Sequence, residues 1–124
     1  MPSPEQIRGA IESYVKLMCE SDIDGILDLY SDEATAEDPV GGTIQRGREA
    51  LRSFYAGTAP NLQVEITGPI RVSGNECAVP LLAELSMNES KLYIDVIDAM
   101  VFDDDGKITS MRAFWSPAEM RPTR

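Results

Sequence analysis

Two carboxyl groups and a phenol stand among neighbours that do not suit them, and they are where chemistry would begin. In the run Leu92–Phe102 every second residue is Leu92, Ile94, Val96, Asp98, Met100 and Phe102, an apolar face interrupted by one carboxyl. Asp95 falls on the opposite face beside Tyr93, Ile97 and Ala99, so both faces read as largely covered. A carboxylate buried without a cation costs several kcal/mol, and the usual response is a raised pKa and a neutral acid. A neutral Asp98 donates a hydrogen bond; the alternative is that it pairs with an arginine or is solvated at a sheet edge. Asp38 shares a face with Ala34 and Ala36, small residues that leave space beside its carboxyl, and Pro39 holds it extended. Its ordinary reading is an aspartate in the turn before Pro39-Val40-Gly41-Gly42. Tyr14 lies on an apolar helical stripe, where a tyrosine is by default part of the core. Its hydroxyl still needs a partner, which Tyr30 or Tyr55 could supply.

The absences narrow the chemistry. The sequence contains no histidine, which excludes Ser-His-Asp and Cys-His nucleophiles, HExxH zinc sites and every imidazole relay. Proton transfer must therefore use Asp, Glu, Lys, Tyr or Cys. With 21 acidic against 11 basic residues the net charge is -10. Such a surface repels nucleic-acid phosphates and anionic lipid in the absence of a basic patch, and none is found. Cys19 and Cys77 lack CxxC or zinc spacing and read as reduced thiols, although a single bridge stays open. Asp103-Asp104-Asp105-Gly106 lacks the ligand spacing of a calcium loop and reads as a solvated turn. Gly41-Gly42 has no phosphate-loop context. The N-terminus has no signal-peptide pattern, and no apolar run reaches membrane-spanning length. A cytoplasmic protein of one domain, residues 1–124, is expected, with no metal, nucleic-acid or membrane partner.

Three helices followed by strands must position these residues. Ser3-Pro4-Glu5-Gln6 is a capping box opening a helix with Ile7, Ala10, Ile11, Tyr14, Leu17 and Met18 on one face. A second cap at Ser21 opens a shorter helix that carries Ile26, Leu27 and Tyr30 and ends at Ser31-Asp32-Glu33. Extended chain is expected from Ala34 to Val40, and a third helix from Gly47 to Tyr55 with Gly57 as its C-cap. Leu62–Thr67, Ile70–Val72, Cys77–Leu85, Leu92–Phe102 and Ile108–Trp115 are Val-, Ile- and Leu-rich runs separated by turn signals. This order is α+β: three N-terminal helices packed on a strongly curved, mainly antiparallel sheet.

Ser13-Tyr14-Val15, Ser21 to Ile26 and Tyr30 to Gly41 together closely resemble bacterial ketosteroid isomerase, a steroid Δ5-isomerase. The likeness continues at Gly47-Arg48-Glu49, Phe54-Tyr55, Leu62 to Arg71, Asp95 to Met100, Gly106 to Ile108 and Met111 to Ser116. It implies the cone-shaped scaffold of nuclear transport factor 2-like proteins, enclosing an apolar pocket. It further implies Asp38 as general base, Tyr14 as oxyanion-hole phenol and Asp98 as the protonated acid beside it. A carboxylic acid kept neutral in an apolar oxyanion hole is the known arrangement of that family. By the same resemblance Tyr30 and Tyr55 hydrogen-bond to the oxyanion tyrosine, and Met111 and Trp115 line the pocket. The implied substrate is a small-molecule steroid, the implied cofactors are none, and the implied assembly is a homodimer packed sheet against sheet. Leu81 stands where some members carry a bulky aromatic, which implies a wider pocket.

Scaffold sharing leaves two alternatives. Epoxide hydrolases of this fold use an Asp-Arg-Asp group, and strand parity turns Arg112 away from Met111 and Trp115; polyketide-cyclase and scytalone-dehydratase relatives usually rely on a pocket histidine, which this chain lacks. A non-catalytic binder of hydrophobic ligands would need the pocket but not a buried acid.

Overall fold

The computed structural model describes residues 1–124. Helix α1 (Pro4–Cys19) starts as the capping box requires: Ser3 Oγ accepts from the Gln6 N–H, and Gln6 Oε1 accepts from the Ser3 N–H. Its inward stripe of Ile7, Ile11, Tyr14 and Met18 is buried. Helix α2 (Ile23–Asp28) is capped by Asp22, whose carboxylate accepts from the Gly25 N–H at 2.9 Å. Sequence spacing favoured Ser21; that residue instead takes a left-handed turn at φ 54°. Strand β1 (Tyr30–Glu37) begins on the residue expected to close α2. A short strand β2 (Ile44–Arg46), which the sequence pattern did not indicate, pairs with it. Helix α3 (Gly47–Thr58) runs through Gly57 and is capped at Ala59.

The remaining strands are β3 (Leu62–Ile66), β4 (Arg71–Ser73), β5 (Glu76–Met87), β6 (Ser90–Phe102) and β7 (Ile108–Phe114). They form one seven-stranded sheet in the order β2-β1-β7-β6-β5-β3, with β4 also on β5. Every pairing is antiparallel except β1 with β7. The β6–β7 turn closes on the Asp103 carboxylate, which accepts from the N–H groups of Asp105 and Lys107, while Gly106 supplies the positive φ of 80°. That is a hairpin turn and no calcium loop.

One cluster of 20 buried residues joins the helix stripes to the inner face of the sheet. Burying that apolar area is the main stabilising contribution, at roughly 25 cal/mol per Å². The outer face differs from expectation: Asp95 is exposed and Ile97, on the same face, is 49% exposed. Cys19 and Cys77 are both free thiols. No helix is long and apolar enough to cross a membrane.

Ile11 is fully buried at the centre of the α1 stripe, whereas Ser3 only caps the helix. Urea denaturation should show Ile11→Ala losing about 2–5 kcal/mol, and Ser3→Ala about 1 kcal/mol.

Candidate active site

Three tyrosines from three elements meet in the core. The Tyr14 hydroxyl on α1 lies 2.8 Å from that of Tyr55 on α3, which lies 2.5 Å from the hydroxyl of Tyr30 at the start of β1. The Tyr14 and Tyr55 rings pack edge to face with centroids 6.1 Å apart. Burial, with nearby negative charge adding to it, pushes all three phenols well above their ordinary value of 10.0, so they remain protonated donors. Tyr14 borders a cavity; as a correction, Tyr55 and Tyr30 do not line it, and Tyr30 reaches Tyr55 rather than Tyr14, because the start of β1 lies on the far side of the Tyr55 hydroxyl.

Asp98 enters from β6, between Val79 of β5 and Ala113 of β7, and is 5% exposed. Burial, and secondarily the charge of Asp38, pushes its carboxyl up to about 8. Asp38 follows β1 in a loop that its neighbours pin. Glu37 accepts from the Gly41 N–H and from Arg112 Nε, each at 3.0 Å, and the Val40 N–H donates to the Ala113 carbonyl at 2.8 Å. Burial raises Asp38 as well, but Trp115 Nε1–H donates to its Oδ1 at 2.5 Å and favours the ionised form. Two carboxyls thus sit in one site in different environments, one with an indole donor and one without. Burial raises both, and only Asp38 has an N–H donor that offsets part of the rise.

Both carboxyls border a cavity of about 430 Å³ lined by 20 residues, 13 of them hydrophobic. They are its only charged groups, and no lysine or arginine reaches it. Of the residues marked in the sequence, the structure brings Tyr14, Asp38, Asp98 and Trp115 to the wall. Met111 is a correction. It pairs with Met100 at 1% exposure, inside the core rather than on the cavity, because inward parity on β7 leads to packed side chains at that depth. Leu81 lies on the wall, as the resemblance implied; the sequence reading missed Met18 and Phe54 on the helices, Ala83 and Leu85 on β5, Ile94 and Val96 on β6, and Met120. For Ile94 and Val96 the signal was present, since they share the parity of Asp98. For Met120 there was none. No group of three or more His, Cys, Asp or Glu side chains converges to hold a metal.

An acid raised by burial from 3.8 to about 8 binds a proton in the folded state that the unfolded state has released. Its cost to stability therefore appears as pH rises above 3.8 and is complete above about 8. Asp98→Asn should gain stability relative to the parent between pH 5 and pH 9, by several kcal/mol at most, in denaturation curves taken at both values.

Residues 11–111 match the model of the SnoaL-like domain. The chain is 34% identical over 116 residues to a steroid Δ-isomerase of Nocardioides simplex, covering 93% of this chain and 94% of that protein. It is 28% identical over 143 positions to epoxide hydrolase LasB of Streptomyces lasalocidi, covering 96% of this chain but 50% of LasB. Among solved structures it superposes with a TM-score of 0.92 and 28% identity on SalBIII, an epoxide hydrolase/cyclase-like enzyme described for pyran ring formation in the polyether salinomycin. That match covers 99% of this chain and 100% of the other. With this match, three helices on a curved sheet, and a pocket between them, the chain belongs to the SnoaL-like domain family of the nuclear transport factor 2-like fold.

Proposed function

We propose that the protein isomerises 3-oxo-Δ5-steroids to their Δ4 conjugated ketones. The observation that carries this reading is a cavity whose only charged groups are two carboxyls, one held by an indole N–H and one deeply buried, beside a hydrogen-bonded phenol. Ionised Asp38 takes a proton from C4, leaving a dienolate with its charge on the C3 oxygen. Tyr14 and neutral Asp98 donate to that oxygen, and Asp38 returns the proton at C6. The C5=C6 bond is lost, C4=C5 forms, and atoms and charge balance without a cofactor. When Tyr14 donates into the cavity, Tyr55 donates to Tyr14 and Tyr30 to Tyr55, so each bond polarises the next. The apolar wall strengthens these bonds because water does not compete for the oxyanion.

A second reading draws on the LasB and SalBIII likenesses. A neutral acid and an ionised base also suit epoxide opening, with Asp98 protonating the oxygen and Asp38 activating the attacking hydroxyl. Against the arginine-assisted form of that chemistry, Arg112 is bound to Glu37 and lies off the cavity wall.

The protein should convert 5-androstene-3,17-dione to the conjugated enone, followed by its near-ultraviolet absorbance, and Asp38→Asn should abolish conversion. Tyr14→Phe should lower kcat by about 10²–10³-fold. No conversion by folded protein, with turnover of an epoxide probe instead, favours the second reading.

The proposed assembly is a homodimer joined through the outer sheet face. Ile97 and Phe114 are register partners on adjacent strands, 49% and 44% exposed, and the Arg112 guanidinium lies 5.4 Å from the Phe114 ring centroid. Light scattering should report a dimer, and Phe114→Asp should shift it to monomer.

A further inference from the structure

The cavity is longer than the chemistry at its inner end requires. Asp98 sits opposite Val79, and the β5–β6 register then carries the wall outward through Leu81–Val96 and Ala83–Ile94 to Leu85–Leu92. Six residues of strand separate Asp98 from Leu92, about 20 Å along the hairpin at the usual rise per residue. Four fused carbocyclic rings span about 10 Å at ordinary bond lengths. A ketone held by Tyr14 and Asp98 therefore ends its ring system near the Ala83–Ile94 pair. Beyond that level Leu85, Met87, Pro60 and Met120 border the cavity, together with the uncharged polar residues Thr58, Asn61 and Ser86. Met120 is brought there by the segment after β7, where Arg121 and Tyr93 exchange backbone hydrogen bonds of 2.8 and 2.9 Å and Arg121 pairs with Asp95. Met87 is 49% exposed at the rim, an apolar side chain left in water by the chain alone. The carboxyls lie at the inner level, so no charged group borders this outer stretch. A charged head would find no counter-ion there, while an aliphatic chain would displace water from the apolar side chains of Pro60, Leu85, Met87 and Met120.

We infer that the outer half of the cavity is a subsite for an aliphatic side chain, so that the preferred substrate is a ring ketone carrying a long alkyl substituent at its far end. This rests on the isomerase reading for the orientation of the ring system, with the carbonyl inward. Ala83 sets the junction between the two halves: it is small, buried and opposite Ile94.

The test pairs 5-cholesten-3-one with 5-androsten-3-one, which differ only in the C17 alkyl chain. The parent should show at least tenfold higher kcat/KM for the cholestene, expressed mainly in KM. Ala83→Phe should drive the ratio of the two kcat/KM values to one or below, and Leu85→Ser, at a half-buried rim position, should lower it in the same direction if Ala83→Phe fails to fold. Because Trp115, the sole tryptophan, borders the cavity, its fluorescence reads binding of the saturated ketones 5α-cholestan-3-one and 5α-androstan-3-one without turnover. Tighter binding of cholestanone with no turnover of either unsaturated ketone would sink the isomerase reading and leave the alkyl subsite standing. Equal binding of the two saturated ketones, no binding of either, or a kcat/KM ratio near one in the parent would overturn the subsite.

Discussion

The structure depends on one electrostatic constraint: a carboxyl is placed in an apolar wall and given no cation. Asp98 has nothing positively charged on the cavity surface, and its neighbours across the sheet are Val79 and Ala113. Its neutral form is the inexpensive one, and a second carboxyl in the same site pushes it further that way. Much of the surrounding geometry keeps that arrangement intact. Arg112, the arginine of β7, is engaged by Glu37 rather than left to swing inward. Six of the other ten basic side chains are likewise held in ion pairs, such as Arg52 with Asp24 and Arg121 with Asp95. Such pairs add little to stability. Their sign and position nonetheless keep positive charge outside.

Asp38 shows the complementary solution. It lies beyond the end of β1 rather than inside a strand, and the loop that carries it is fixed by hydrogen bonds to Glu37 and to the Ala113 carbonyl. The single Trp115 N–H offsets part of the desolvation and orients the carboxylate. One indole and one pinned loop thus give two chemically identical side chains different surroundings. The tyrosine relay adds depth without adding charge, since three phenols raised by burial pass hydrogen bonds from the core to the cavity wall.

How much of this was legible depended on whether the signal was local. The α1 capping box and its buried stripe follow from adjacent residues and were read correctly. Asp98 was legible because a strand of period two makes one carboxyl among aliphatics conspicuous, and the burial of β6 follows that alternation around it. Tyr30 was misassigned because Ile26, Leu27 and Tyr30 are spaced as on a helix, and the same spacing is satisfied when a helix ends and a strand turns its first side chain to the same core. Strand β2 left no pattern, being three residues long with Ile44 56% exposed. Met111 shows what parity leaves out: it distinguishes inner from outer, but inner includes both packed core and open cavity. The open face around Ile97 and Phe114 read as covered because apolar residues on both sides of a strand look alike whether the second layer belongs to the same chain or not.

The one parallel pairing, β1 with β7, has a consequence for how the molecule is made. Asp38 leaves the end of β1 and Trp115 the end of β7, and these strands come from opposite ends of the chain. Contacts so distant in sequence are entropically slow to close. During synthesis the α1 helix and the β5–β6 hairpin can form as their residues emerge. Asp38 and its indole partner can meet only after nearly the whole chain has left the ribosome. A chain that stops within β6 already carries Tyr14, Tyr30, Asp38 and Tyr55 and has no β7 to pin the Asp38 loop against. Completion of the site therefore coincides with completion of the sheet.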